Sequence, residues 1–293
     1  MIATLLYRRT RGHDASAEAR GLVGSLLGAA LACCLSNATP AAAQAAPAAS
    51  AQVQARYDPT AKFAAVRDML QRHKVLEKAQ LFMSPLRLPR TLVIRGADCG
   101  ASSLPYDADK GVITICYEAV AGIMDLAKGS TSDADKLARV VAGGVIEETL
   151  HRVALAILQV YDIPVWGKQE DAADLLGAFM MLQFDEHTAQ IAILGAGNLF
   201  IVKTSSVGKV DYASDLSPAA QRFYNFLCIA VGGDPIDFGG LVDKGFLPKD
   251  RAIKCEREYR AIRKAFDLRV MPHVDPDRVV KIRAIDWLSE ERN

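Results

Sequence analysis

The sequence has no excess of charge of either sign, because 35 Lys and Arg residues face 34 Asp and Glu residues, which leaves a formal net charge of +1. It also lacks a basic cluster interleaved with aromatic residues, the pattern that attracts nucleic acid. With 51% hydrophobic and 24% charged residues, the composition is that of an ordinary globular protein. We therefore predict no nucleic-acid partner, and no electrostatic attraction to anionic lipid.

No apolar run is long enough to predict a membrane span. Residues 21–35 are apolar, but the run is shorter than the roughly 20 residues that a spanning helix needs, and no later run is longer. The small-residue stretch 40–44 follows it. Charge, apolar core and an A-x-A site in this order are typical of a secretory signal, so we predict residues 1–43 as a signal peptide cleaved after Ala43. An uncleaved anchor, or a lipoprotein modified at Cys33, are the alternatives. The charges ahead of the run are Arg8, Arg9, Arg11 and Arg20.

No cysteine has a C-x-x-C partner, which disfavours a zinc site built from cysteines. Six cysteines are present, and removal of the signal takes two of them. An even number in an exported chain predicts two disulfides, with three connectivities open. Local spacing favours Cys99 with Cys116 and Cys228 with Cys255. We accordingly predict a periplasmic or secreted protein that has no stable membrane span after signal cleavage.

Apolar periodicity and breaker residues predict an α+β fold, mainly helical, with a small antiparallel sheet. Residues 44–56, rich in Ala, Gln and Pro, are predicted as a linker, with order beginning near Pro59. One domain then covers residues 57–273, followed by a C-terminal tail, 274–293. Because of its three glycines, the segment 195–210 is predicted as a loop. The predicted strands are 91–95 paired with 112–116, and a late strand at 279–283. The predicted helices are 60–79, 133–161, 168–183 with a continuation over 185–194, 217–228, 235–242 and 248–266.

The predicted helix 133–161 carries an incomplete metal-binding motif. Residues four apart lie on one face of a helix, so two histidines in an HExxH motif can hold one metal while the Glu activates its water. Here His151 is the only histidine of the helix. After the turn at Pro164, the next helix carries Glu170 and Asp174, also four apart. In such an E-x-x-x-D pair the Glu ligates a metal and the Asp holds a ligating His by its far ring nitrogen.

Four segments resemble a bacterial family of exported putative metallopeptidases of unknown substrate, and the resemblance covers roughly residues 57–273 with the four cysteines named above. Members of that family typically read HELGH, then a proline turn, then GREEDAAD. The resemblance implies a zincin-like fold and a zinc-dependent peptidase site. The segments are VWGKQEDAAD (165–174), QRFYNFLC (221–228), GDP (233–235) and LPKDR (247–251).

The chain departs from this family at its motif. Counted back from the proline turn without a gap, the first histidine of HExxH falls on His151. The base position then holds Arg152, which cannot give up its proton, and the second ligand position holds Leu155, which has no lone pair. A cation beside the site also opposes Zn²⁺ binding. Gln169 replaces the first of the family's paired glutamates, while Glu170 keeps the ligand position.

A second register, shifted back by one helical turn, restores part of the chemistry. Glu147 then takes the place of the first histidine, Glu147, His151 and Glu170 become the ligands, and Glu148 becomes the base. Such an oxygen-rich site has lower zinc affinity and admits harder divalent ions. The shift also needs extra residues before Pro164, for which the helix shows no break, and we favour the ungapped register.

Each candidate also has an ordinary structural role. His151 can be a hydrogen-bonded core histidine, and Glu147 and Glu148 can be solvated helix surface. Glu170 and Asp174 can complement the dipole at a helix N-terminus, although Asp174 lies nearly two turns in, where that explanation is weaker. The triplet 185–187, Asp-Glu-His, has no helical pairing with the other candidates and is predicted to be surface.

Two functional hypotheses follow. The leading one is an exported zincin-like protein that has lost peptidase catalysis and acts by binding an unidentified peptide or protein. Zinc remains its candidate cofactor, disfavoured by the two substitutions. The rival is an active, divergent metal-dependent peptidase with Glu148 as base. A di-iron site would use Glu148-x-x-His151 but needs a second E-x-x-H, which the sequence lacks.

Overall fold

The computed structural model describes residues 53–100, 106–206 and 210–290. The predicted signal peptide, its cleavage site at Ala43, Cys33 and the linker up to residue 52 lie outside these ranges. Four strands and twelve helices form the described part. The strands are β1 Val53–Tyr57, β2 Leu92–Ala97, β3 Tyr106–Asp107 and β4 Val112–Cys116. The helices are α1 Ala64–Arg72, α2 Val75–Met83, α3 Tyr117–Ser130, α4 Ala134–Val160, α5 Gln169–Met181, α6 Glu186–Ser206, α7 Ala219–Gly233, α8 Pro235–Phe238, α9 Gly240–Asp243, α10 Lys249–Ala252, α11 Cys255–Arg269 and α12 Val280–Arg283.

The predicted α+β class is confirmed, with helices in the large majority and one small sheet. The predicted pairing of the second and fourth strands is also confirmed, but the sheet is mixed rather than antiparallel. Its order is β1-β2-β4-β3, with β1, β2 and β4 parallel and only β3 antiparallel to β4. The sheet is mixed because the short strand β3 runs antiparallel to its neighbour. The chain turns back after β3, so that β4 runs parallel to β2.

The sheet begins earlier than predicted. Residues 53–56, predicted as the end of a linker, form β1 together with Tyr57 and pair in register with β2. Val53 is buried, Gln54 and Arg56 are exposed, and Ala55 and Tyr57 are half-buried. This alternation of burial places the strand at the edge of the core.

The first predicted helix, 60–79, is two helices rather than one. Lys74 between α1 and α2 adopts a left-handed backbone with φ of 47°, which interrupts the helical path. The predicted late strand at 279–283 is wrong as well. The chain there forms the short helix α12, after which Trp287 packs into the core against Phe82 and Phe184 with ring centroids 6.3 and 5.3 Å apart.

The predicted loop 195–210 is instead the second half of α6, which continues to Ser206; residues 207–209 are outside the described part. The glycine that suggested a loop serves a helix crossing. A Cβ on Gly195 would lie 2.5 Å from the carbonyl oxygen of Arg139, and one on Gly143 would lie 2.6 Å from the Cα of Gly195. Two glycines therefore let α4 and α6 approach backbone to backbone.

We expect Gly195→Ala to lower the free energy of unfolding by about 2 kcal/mol, since its methyl group must push two helix backbones apart. Urea unfolding measures the loss. Gly197→Ala on the same helix is the matched control, because the nearest atom to its new methyl group is Leu227 Cδ2 at 3.5 Å. The control should gain roughly 0.5–1 kcal/mol from helix propensity. Equal effects of the two substitutions would contradict the close crossing.

Helix α4 is the central element. Asp133 caps its first turn by accepting a hydrogen bond from the backbone N–H of Lys136 at 2.8 Å, and the helix ends before the turn at Pro164. Both ends agree with the predicted helix 133–161. The next helix, α5, agrees with the predicted 168–183, so the two elements that carry the candidate site lie where the sequence predicts them.

No helix in the described ranges combines the length and the apolarity that a bilayer crossing requires.

Candidate metal centre

The candidate site lies between α4 and α5, and His151 is at its centre. Its side chain is only 5% exposed. Asp174 Oδ1 lies 2.7 Å from Nδ1, and Glu170 Oε2 lies 2.8 Å from Nε2. One helix thus presents two acids, four residues apart, to the two ring nitrogens of one histidine on the other helix.

These contacts set the charge of His151. Burial opposes protonation, but hydrogen bonds to Asp174 and Glu170 outweigh it and raise the pKa of His151 to about 9. At neutral pH the ring is therefore an imidazolium that donates both N–H groups. The hydrogen bond from His151 in turn lowers the pKa of Glu170, which stays ionised.

Arg222 on α7 is a second cationic partner of Asp174. It donates Nε to Asp174 Oδ2 at 2.5 Å and Nη2 to Asp174 Oδ1 at 2.8 Å, and its guanidinium lies over the ring of Phe200. Burial alone would raise the pKa of Asp174, but the hydrogen bonds from Arg222 and His151 lower it. A hydrogen bond from the Ser217 backbone N–H to Asp171 Oδ1, 3.0 Å long, places the segment before α7 beside the start of α5.

Glu147 completes a group that could hold a metal ion. One ligand atom from each of Glu147, His151 and Asp174 lies within 4.8 Å of the others, and all three residues are buried. Burial raises the pKa of Glu147, although Arg222 opposes the shift. Arg222 Nη2 is 3.7 Å from Glu147 Oε1, so the guanidinium already contacts two of the three carboxylate and imidazole ligands.

Glu148, the base of the shifted register, forms an ion pair one turn along its own helix. Arg152 Nε donates to Glu148 Oε1 at 2.8 Å, and the two side chains are only 18% and 14% exposed. Burial would raise the pKa of Glu148, but the charges of Arg152 and His151 lower it. Leu155, at the second ligand position of the ungapped register, is 2% exposed and belongs to the hydrophobic core.

The structure thus gathers Glu147, His151, Glu170 and Asp174 into one cluster, with Glu148 paired beside it. Arg222 is the member that the sequence reasoning did not single out as a site residue. It is the one charged residue of the QRFYNFLC segment that carries the resemblance, and a lone charge among apolar residues is a signal for a carboxylate partner. The acidic triplet at 185–187 is exposed, and its aspartate caps α6 through the backbone N–H of Thr188.

Both predicted disulfides are present. Cys99 and Cys116 are joined, as are Cys228 and Cys255. The first bond follows from the parallel pairing, because Ala97 at the end of β2 lies opposite Cys116 at the end of β4. Two disulfides fit a protein of an oxidising compartment outside the cytoplasm.

The fold and the cluster together define a mainly helical domain in which side chains that could hold a metal ion lie on two adjacent helices. The sequence model of the family described as "Putative metallopeptidase" matches residues 57–268. Because this match covers well over half of the chain, the protein belongs to the putative metallopeptidase family. No curated protein and no solved structure matches the chain.

Proposed function

We propose that this protein is an exported, zincin-like member of the family that has lost peptidase catalysis and acts by binding a peptide or protein. The observation that carries the proposal is the pairing of His151 with both acids of α5. In a metal site, a ligating histidine turns one nitrogen to the metal beside the other ligands and gives its second N–H to an orienting carboxylate. Glu170 at Nε2 and Asp174 at Nδ1 match these two roles.

The unbroken helix from Ala134 to Val160 supports the ungapped register, because the shifted one needs extra residues before Pro164. If His151 is the first histidine of the motif, Arg152 stands at the base position and Leu155 at the second ligand position. Arginine stays protonated and cannot accept a proton from water, and leucine has no lone pair. A catalytic zinc centre needs three protein ligands and an open position for water. In this register only His151 and Glu170 remain as ligands, so the residues do not fit a catalytic zinc ion.

The charges of the cluster support the same conclusion. Four carboxylates would normally call for a bound cation, because buried charges must be paired. Here three side-chain cations already contact them, and the pKa of one carboxylate, Glu147, is raised so that it protonates more readily. The carboxylates are Glu147, Glu148, Glu170 and Asp174, and the cations are His151, Arg152 and Arg222.

One observation favours the rival, an active metal-dependent peptidase. The ligand atoms of Glu147, His151 and Asp174 lie close enough together for one ion, and Glu148 is adjacent in the chain. In that case Glu148→Gln should abolish turnover while the metal stays bound. The shifted register of this rival takes Glu170 as its third ligand. The group whose ligand atoms lie close together contains Asp174 instead of Glu170.

Export is part of the proposal. The two disulfides support an oxidising destination, and the charged, apolar and small-residue order of residues 1–44 supports delivery by a signal peptide. We propose the periplasm or the extracellular space as the site of action.

Elemental analysis of the exported protein after equilibration with zinc and gel filtration tests the proposal. We expect no stoichiometric zinc, since the ligand set is incomplete and the cluster is already occupied by cationic side chains. His151→Ala removes the central candidate ligand, and His187→Ala removes an exposed histidine outside the site as a matched control. One zinc per chain that is lost in His151→Ala and kept in His187→Ala would overturn the proposal in favour of the enzyme.

A further inference from the structure

A second concave site lies along the first half of α4, on the same helix whose second half carries the candidate metal centre. The pocket has a volume of about 450 Å³. The end of α1, the start of α2, one residue of α6 and the C-terminal segment close it, the last through Trp287 and Leu288. Pockets that hold small organic ligands have volumes of roughly 300–1,000 Å³, so this one is of ligand size.

The lining has a simple chemical character. Nearly all of its side chains are apolar, among them Leu137, Val141 and Ile146. Among the described residues that line it, Arg139 and His73 are the only charged or titratable ones, and none is acidic. Within the described ranges neither of these two side chains forms a salt bridge or a hydrogen bond.

We propose that this pocket binds a small amphipathic carboxylate, an aliphatic acid whose apolar chain lies against α4 and whose carboxylate contacts Arg139 and His73. An apolar ligand body matches the walls, and an anionic head matches the two basic groups. Arginine pairs with carboxylates through two parallel N–H donors, which makes it the stronger of the two contacts. A folded partner surface fits such a pocket less well than a single extended chain does.

The chain contains its own reporter for this site. Of its two tryptophans, Trp287 lines the pocket and is 4% exposed, while Trp166 lies in the turn before α5 and is 98% exposed. In a Trp166→Phe variant, all tryptophan fluorescence therefore comes from the wall of the pocket. Trp166 is fully solvated and is not among the lining residues, so the substitution should leave the pocket unchanged.

The experiment titrates the exported Trp166→Phe protein with octanoate, decanoate and dodecanoate below their micelle concentrations. We expect a saturable change in Trp287 fluorescence and an affinity that rises about fourfold for each added methylene group, as expected for an apolar chain leaving water. Dodecanol, which has the same body without the charge, should bind at least tenfold more weakly. Equal affinity for dodecanol and dodecanoate would overturn the proposal, and so would the absence of a saturable response to all three acids.

Three variants locate the site. Arg139→Gln should weaken dodecanoate binding at least tenfold, whereas Lys136→Gln, which removes the same charge from an exposed position outside the lining, should leave it unchanged. Ala138→Phe should fill the pocket and remove binding. Positions 138 and 139 are both exposed, so the variants should fold, and circular dichroism verifies this. A fluorescence response that persists in Ala138→Phe, or an equal loss in the two charge variants, would place the ligand elsewhere and overturn the assignment.

Discussion

The double variant Arg152→Glu, Leu155→His is expected to bind one zinc ion per chain, which the natural protein should not do. It restores a base and a second histidine one turn after His151, so that two imidazoles and Glu170 can surround one metal. Without metal the variant should lose at least about 3 kcal/mol of unfolding free energy, because a polar ring replaces a core leucine that is 2% exposed and Glu148 loses its ion pair with Arg152. Zinc at a thousandfold excess over its dissociation constant should return about 4 kcal/mol.

Thermal unfolding with zinc and with chelator measures both effects, and elemental analysis gives the stoichiometry. Arg152→Glu, Leu155→Met is the matched control, since it makes the same charge change and keeps an apolar side chain in the core. We expect no stabilisation of the control by zinc. A folded double variant that binds no zinc would show that His151 does not occupy the first position of the motif, and it would remove the basis of the ungapped register.

Replacement of Arg222 by methionine should have the largest effect on stability, a loss of about 3–5 kcal/mol in the free energy of unfolding. Its side chain is 11% exposed and is the cation between Asp174 and Glu147. Methionine retains much of the apolar contact but leaves two buried carboxylates without that partner. Urea unfolding at neutral pH, with circular dichroism as the signal, gives the value.

Two comparisons make this result specific. Arg152→Met removes an arginine that contacts a single glutamate on its own helix, and it should cost less, about 1–3 kcal/mol, because it leaves one buried carboxylate without its partner rather than two. Adding Asp174→Asn to Arg222→Met removes the charge that was left unpaired and should recover part of the loss. Equal costs for the two arginines, or no recovery in the double variant, would mean that Arg222 contributes mainly through packing against Phe200.

Together these expectations describe a cluster in which buried carboxylates are paired with side-chain cations. The imidazolium of His151 and the guanidinium of Arg222 share Asp174 between them, and Arg152 holds Glu148. Such a network is stabilising only while every member keeps its partner. The same scaffold would then serve binding, with its helices held in place by charge pairs rather than by coordination.

The local features of this fold could be predicted from the sequence. The central helix was predictable because Asp133 is an N-cap and Pro164 stops the chain, and both act on neighbouring residues. The pair Glu170 and Asp174 was recognisable because helical spacing alone puts them on one face. The cysteine pairing was favoured by spacing because each pair lies close along the chain.

Contacts between distant segments were not predictable in the same way. Strand direction depends on where the chain returns, and the two-residue strand β3 was too short to leave a pattern. Gly195 looks like a loop residue in sequence, yet it lies inside a helix because Gly143, far away in the chain, faces it. The left-handed Lys74 splits a helix for which the local pattern contains no glycine or proline break.

The sequence by itself determined the helices of the site, the acids and the single histidine that they carry, because each of these is a matter of residue type and spacing. Only the tertiary structure decided that both acids meet the same imidazole, that Arg222 pairs with Asp174, and that Arg152 holds Glu148. Charge pairing of this kind depends on distances of a few ångströms between residues up to 75 positions apart, such as Glu147 and Arg222. Burial strengthens these charge interactions because it removes the screening by water.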